Sequence, residues 1–355
     1  MITISLCMIV KNEAKVLARC LDSVADLMDE IIIVDTGSTD GTKAVAARYT
    51  DKIYDFTWED DFSAARNFSF SKASMDYIYA PDADEVLDEE NRKKFRDLKQ
   101  VLLPEIEIVQ MKYSTVTEYD TVLNARTEFR PKLFKRVRKF IWEDPIHETI
   151  RTTPLVYDSD ITILHMPQSL HHKRDFSIFK KAYERDGFFS AKIINMYAKE
   201  LLKTGDKADF TEAEPIFSSI FENSTEEKAH KEASCVLARC YRLCDNKNQF
   251  FKIALKDMLT TPCSEICFEL GAYFEGAADY KEASLWYYNA AYEAESILDI
   301  HTGGDLPLKG LISCYEKILE EMSADESLTP DDMAGYKNAL IDAKNALNNW
   351  TLPEE

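Results

Sequence analysis

The triplet Asp82-Ala83-Asp84 places two carboxylates two residues apart, directly after the apolar run Tyr77–Ala80. On a tight turn at the end of a buried strand, both can face one opening. There they can hold Mg2+ or Mn2+ against a diphosphate, because hard divalent cations take oxygen ligands. Spacing alone says little. With 63 acidic residues in 355, about ten such triplets arise by chance, and Glu105/Glu107, Glu118/Asp120 and Asp158/Asp160 are read as that background. By position the turn equally suits a solvated cap for a helix starting near Asp88. The histidines favour the metal: His147, His165, His171 and His172, four of six, fall within 26 residues, where roughly 0.4 would fall by even scatter. His165 closes the strand-like run Ile161–Leu164, and imidazole beside carboxylate suits Mn2+ better than Mg2+. His171 and His172 run into Lys173 and Arg174 and read as a solvated basic patch.

A second cluster, Trp142-Glu143-Asp144-Pro145-Ile146-His147-Glu148, sets three carboxylates, an imidazole and an indole in seven residues. Group transfer by single displacement needs a base for the acceptor's proton. Glu148, His147 and Asp144 are the candidates, in that order; the competing reading is a structural loop pinned by Trp142. Arg66, in Asp60-Asp61-Phe62-Ser63-Ala64-Ala65-Arg66-Asn67, can grip a phosphate bidentately or pair with Asp60 or Asp61.

These residues need a scaffold, and the first 80 residues supply strand and helix signals in alternation. Ile2–Val10 and Ile31–Val34 are apolar, β-branched runs of the kind buried on both faces of a sheet. Between them Asn12 can cap a helix on which Leu17, Cys20, Leu21, Val24 and Met28 recur. After the polar loop 35–41 come a helix through Lys43–Arg48, a strand near Ile53–Phe56, a helix over Phe62–Ser71 and a strand at Tyr77–Ala80. Alternation of this kind gives a parallel sheet with crossover helices, and ligands bind beyond the carboxyl ends of its strands. Loops 35–41 and 81–85 both follow such strands, so one shared site is expected. Glu105–Tyr113, Thr127–Phe134 and Asp160–His165 read as strands without helices between them, hence as antiparallel additions.

The totals bound the function. A net charge of −20, from 43 basic and 63 acidic residues, argues against a nucleic-acid partner and against docking on an anionic membrane. No run of about 18 apolar residues is present, so no transmembrane segment is expected, and Ile2–Val10 lacks a basic leader. The eight cysteines, without a secretory signal, point to a reducing, cytoplasmic setting. Cys240/Cys244 and Cys263/Cys267 have helical spacing, but with no C-x-x-C and no adjacent His they read as buried structural thiols. Residues 5–15 contain no Gly, against a nucleotidyl transferase, and Gly37 and Gly41 do not make the dinucleotide-binding pattern.

Two domains are expected, 1–174 and 175–355, the second almost wholly helical. Leu201–Asp206, Leu243–Asn246 and Gly276–Asp279 each look like the turn of a helical hairpin, with Asp206, Asp245 and Asp279 spaced 39 and 34 apart. Leu270-Gly271-Ala272-Tyr273-Phe274, with Ala283 and Tyr287, resembles a tetratricopeptide unit, which stacks into a concave binding surface. An irregular helical bundle is the alternative.

Four segments in order, Cys7-Met8-Ile9-Val10-Lys11-Asn12-Glu13, Ile33-Val34-Asp35-Thr36-Gly37-Ser38-Thr39-Asp40-Gly41-Thr42, Ala64-Ala65-Arg66-Asn67 and Asp82-Ala83-Asp84-Glu85, resemble the inverting family 2 glycosyltransferases. The resemblance covers roughly residues 1–170. It implies the A-type transferase fold, an α/β Rossmann-like mixed sheet, followed here by an all-α helical-repeat domain. The most similar branch carries tetratricopeptide-like repeats and includes enzymes that glycosylate peptide side chains. The implied activity is metal-dependent, inverting transfer of one sugar from a UDP-sugar donor to a peptide or protein acceptor held by the helical domain. A cell-surface glycan or lipid-linked acceptor, or a non-catalytic repeat scaffold with a degenerate transferase domain, are the alternatives, and a homodimer is left open. By motif, Val10, Lys11 and Glu13 would line the nucleoside pocket, and Asp35 would contact uracil or ribose. Ser38 and Arg66 would lie by the nucleotide. Asp82 would approach ribose and metal, and Asp84 would ligate Mn2+ or Mg2+ with His165. Ile146-His147-Glu148 matches the branch's Ile/Val-His-Glu motif near the acceptor. Pro81 stands where Leu is usual, and the family's Glu-Asp base motif has no clear counterpart, so the base stays open. No Arg-Trp dipeptide occurs, against a processive polysaccharide synthase.

Overall fold

The computed structural model describes residues 1–115, 128–146, 149–150, 153–166, 172–258, 261–324, 327 and 329–351. The chain divides into two compact units, Met1–Ala182 and Tyr183–Glu355.

In the first unit, β1 (Ile4–Val10) is central because its sequence is apolar on both faces, with six of seven positions buried. Side chains alternate along a strand. Ile4, Leu6, Met8 and Val10 therefore join one apolar layer with Leu17, Leu21 and Phe95, while Cys7 joins the opposite layer with Ile32, Val34, Phe70, Phe134 and Trp142. β2 (Glu30–Asp35) and β4 (Tyr77–Tyr79) flank β1 in parallel, and β3 (Ile53–Asp55) lies outside β2. The helices α1 (Leu17–Val24), α2 (Thr42–Ala46) and α3 (Phe62–Ser71) lie between these strands in sequence.

Then follow β5 (Glu85–Val86), α4 (Glu89–Val101), β6 (Ile108–Thr115), β7 (Glu128–Lys135), the small hairpin β8 (Trp142–Glu143) and β9 (Thr149–Ile150), β10 (Val156–His165) and α5 (His172–Asp186). Strand order is β3-β2-β1-β4-β7-β6-β10-β5, a mixed sheet of the Rossmann-like kind expected.

Two local expectations change, and one strand is added. Asn12 caps no helix: its φ is 58°, its Oδ1 accepts from Thr39 N at 2.8 Å, and α1 begins only at Leu17. β7 does enter antiparallel to β4 and β6, but β10 pairs with β6 in parallel. β7 already occupies one edge of β6, so β10 takes the open edge and, running antiparallel to β7, lies parallel to β6. The two-residue β5, too short to be visible in the sequence, pairs antiparallel with β10 at the sheet's far edge.

Glu30, buried at the start of β2, ties three segments together. Its carboxylate accepts from Ser5 Oγ, Lys52 Nζ (2.6 Å), Ser74 N (2.9 Å) and Ser74 Oγ (2.9 Å). Burial by itself would raise its pKa, but these donors outweigh burial and hold it at about 2. A depressed carboxylate stabilises the fold above its unfolded pKa, and the effect is lost as pH falls through the folded one. Glu30→Gln is therefore expected to be less stable than the parent at pH 6, by on the order of 3 kcal/mol. Denaturant unfolding should show that gap closing between about pH 4.5 and about pH 2.

The second unit is helical: α6 (Ala191–Thr204), α7 (Lys207–Asn223), α8 (Glu227–Leu243), α9 (Lys247–Met258), α10 (Ser264–Gly276), α11 (Tyr280–Tyr288), α12 (Asp305–Ser323) and α13 (Ala334–Asn349). The three expected hairpin turns fall between α6 and α7, α8 and α9, and α10 and α11. Their aspartates are not equivalent. Asp206 and Asp279 accept from backbone N–H groups of the following helix, at 2.8 and 3.2 Å, whereas Asp245 sits in the left-handed region at φ 54°. Tyr287 of α11 wedges against two glycines: a Cβ would meet its ring at 2.6 Å from Gly271 and 2.5 Å from Gly310. Among the described residues no helix is long and apolar enough to cross a membrane.

Candidate active site

Two polar clusters form at the carboxyl ends of the parallel strands. The first lies beyond β1 and β2. Thr36 N donates to Val10 O (2.9 Å) and Asn12 N to Ser38 Oγ (2.9 Å), so the two loops are laced together. Asp35 is buried, and its Oδ2 accepts from Gly37 N (3.1 Å) and Ser38 N (2.9 Å). Its Oδ1 is buried with no hydrogen-bond partner. A carboxylate oxygen left bare in this way signals a missing polar partner. Lys43 Nζ stands 3.7 Å from Oδ2. Lys11 is exposed, with its ammonium 5.9 Å from the Trp58 ring centre, and Glu13 N donates to Thr42 Oγ1 at 2.8 Å.

The second cluster lies beyond β4. Pro81 follows Ala80, whose N–H still bonds Lys132 O at 2.9 Å, and the turn then carries Asp82 and Asp84. Register brings β10 to it: His165 pairs with Glu85, and Met166 N donates to Asp84 O at 2.9 Å. His165 Nε2 consequently sits 3.2 Å from Asp84 Oδ2. Neighbouring ligands of an octahedral cation, on bonds of about 2.1 Å, stand roughly 3 Å apart, so this pair is spaced to share an ion. Nδ1 of the same ring is buried without a hydrogen-bond partner, 5.1 Å separating the His165 and Tyr113 ring centres.

Lys132 escapes the sequence reading. It is the extra residue of a bulge, since Leu133 pairs with Val109 and Pro131 with Gln110. A bulge re-aims a side chain, and proline is tolerated at one. The buried Lys132 ammonium donates to Glu85 Oε1 (2.6 Å) and Asp82 Oδ2 (3.3 Å). Asp82 N in turn donates to Glu85 Oε2 at 3.2 Å. Burial works against the Asp82 charge, but Lys132 and Arg66 outweigh it and hold the carboxyl well below the usual range. Burial, helped by the Asp82 charge, pushes the Glu85 carboxyl above its ordinary value despite Lys132. The one available signal was Pro131, a residue tolerated inside a strand only at an edge or a bulge, next to Lys132.

Arg66 comes from α3, whose first turn is capped by Asp61 accepting from Ala64 N at 3.1 Å. Its guanidinium reaches to 4.0 Å from Asp82 Oδ1 and stacks 4.7 Å over the Trp142 ring. Asn67 clamps the Trp142 backbone, donating to its O (3.0 Å) and accepting from its N (2.9 Å). Asp60, the rival partner, instead binds Lys181 (2.9 Å) and Trp58 Nε1 (3.0 Å). Arg66 thus meets Asp82 and His165 meets Asp84 on one turn, and β1 lies between β2, which carries Asp35, and β4, which leads into that turn. Of the three base candidates, Asp144 lies in the turn after β8 at φ 77°, a conformation aspartate tolerates. His147 and Glu148 lie outside the described residues.

Residues 5–160 match the family profile described as Glycosyl transferase family 2. A TPR repeat-containing protein of Synechococcus elongatus is 52% identical over 87 residues, 24% of this chain and 22% of that protein. The SPbeta prophage-derived glycosyltransferase SunS of Bacillus subtilis is 34% identical over 149 residues, 41% of this chain and 34% of that one. The chain thus spans about a fifth and a third of these relatives' lengths. Glucosyl-3-phosphoglycerate synthase of Mycobacterium tuberculosis, solved with Mn2+, UDP-glucose and phosphoglyceric acid, overlays with a TM-score of 0.39 at 14% identity, over 54% of this chain and 82% of that one. That likeness is too slight to carry over any residue's role.

Proposed function

We propose that the protein, whose residues 5–160 match the Glycosyl transferase family 2 profile, transfers one sugar from a UDP-sugar, with inversion, in a metal-dependent reaction. The observation that carries this reading is the meeting of Asp84 and His165 at 3.2 Å beside Asp82. Two carboxylates and an imidazole are a donor set suited to Mn2+, with Mg2+ as the harder alternative. The ion would supply positive charge to the departing diphosphate, where negative charge grows.

The chain's own groups do the rest. Lys132 keeps Asp82 ionised, and Arg66 stands ready to meet a phosphate oxygen. The bare Asp35 Oδ1 accepts a hydrogen bond from the nucleoside, with Ser38 beside it, while Val10, Lys11 and Glu13 shape that pocket. The base that takes the acceptor's proton is Glu148, His147 or Asp144. The acceptor in this reading is a peptide or protein side chain held by the helical unit, since stacked two-helix repeats form concave binding surfaces. No disulfide joins the eight cysteines, as suits a reducing compartment such as the cytoplasm.

Incubation of the full chain with a panel of nucleotide-sugars tests the donor assignment. UDP release in the presence of Mn2+, suppressed by chelator, is the expected outcome. Consumption of GDP- or dTDP-sugars alone, or of none, would contradict it.

A further inference from the structure

The helical unit contains a second cluster with the chemistry of a metal site. Cys235 lies within α8, Cys263 is the residue preceding α10, and Glu265 is in the first turn of α10. All three are buried, and one ligand atom from each lies within 4.8 Å of the others. The sulfurs stand 3.5 Å apart. That is too far for a disulfide, whose S–S bond is about 2.0 Å. It is close to the ~3.8 Å between two sulfurs on a tetrahedral Zn2+ with ~2.3 Å bonds.

Glu265 supplies an independent sign. Its Oε1 accepts three backbone N–H groups, from Ile297 (3.0 Å), Leu298 (2.7 Å) and Asp299 (3.0 Å). Its Oε2 is buried and has no partner at all. A carboxylate saturated on one oxygen and bare on the other is held rigidly with one ligand position unspent, and such a buried orphan calls for a cation, a proton or a water. The setting tolerates the charge this would bring. The Arg239 cation interacts with Cys235 from one turn along α8.

We propose that Cys235, Cys263 and Glu265 bind one thiophilic divalent cation, Zn2+, locking the start of α10 to α8 and to the 297–299 segment. Binding replaces the two thiol protons, which pass to solvent, and leaves a fourth tetrahedral position to a water. The site stands apart from the transferase reading and does not depend on it.

Titration of the chelator-stripped full chain, free of any histidine tag, with Co2+ tests the proposal. A thiolate-to-cobalt charge-transfer band saturating at one equivalent, and erased by Zn2+, is expected. Ligands of oxygen and nitrogen alone cannot give that band, so Asp84→Ala should retain it. Cys263→Ser should lose it, and Glu265→Gln should keep it with affinity about tenfold or more weaker. If Cys263→Ser fails to fold, the parent titration alone decides. Absence of the band there, or its survival unchanged in a folded Cys263→Ser, overturns the site.

Discussion

Asp84→Ala is expected to abolish Mn2+-dependent turnover, with kcat falling by about 1,000-fold or more. The variant removes a carboxylate whose side chain contacts His165 and leaves the backbone bond from Met166 N to Asp84 O in place. The turn therefore survives while the ion loses a ligand. Steady-state assay across a Mn2+ series separates the two possibilities. A loss that rising Mn2+ partly rescues marks a ligand, whereas a uniform loss with lowered thermal stability marks a structural residue. Asp158→Ala, in a triplet of the same pattern but on an exposed strand position, is the control and should leave turnover unchanged.

Lys132→Met is expected to combine the second-largest activity loss with the largest stability loss. Removing one partner of a buried ion pair leaves its counter-charges stranded, which costs about 3–5 kcal/mol. Here Glu85 is the buried partner that loses its cation, while half-exposed Asp82 loses its neighbour but keeps solvent. Turnover should fall about 100-fold, because Asp82 is left next to a second carboxyl that no longer has a neutralising neighbour. Pairing the change with Glu85→Gln should restore part of the stability in denaturant unfolding, since one stranded acid is gone. No recovery in that double variant would refute the ion-pair account.

Legibility followed burial pattern and chain continuity. Strands β1, β2 and β4 are legible because each is built on an apolar run, and α3 spans Phe62–Ser71 as its sequence leads one to expect. The Asp82-Ala83-Asp84 turn gained meaning from its place at a strand end, although the pattern itself is common. Lys132 was hidden because a bulge shifts which face a residue meets, and the pairing that creates the bulge is set by β6, some 20 residues upstream. The parallel pairing of β10 was hidden likewise, for it depends on which edge of β6 remained open. Asn12 misled because its type suits both a helix cap and a left-handed turn; the choice was made by Thr39, across the loop. The pairing of Cys235 with Cys263 crosses two helices, whereas spacing along the chain points only to helical neighbours.

Calorimetric titration of UDP into the full chain, with Mn2+ and again with chelator, bears most directly on the proposed metal-dependent nucleotide site. One equivalent of UDP should bind in Mn2+, at least about tenfold more weakly once the ion is removed, and that difference should vanish in Asp84→Ala. Equal affinity with and without Mn2+ in the parent, or no binding in either, would contradict the account and leave a helical-repeat protein with an idle transferase domain.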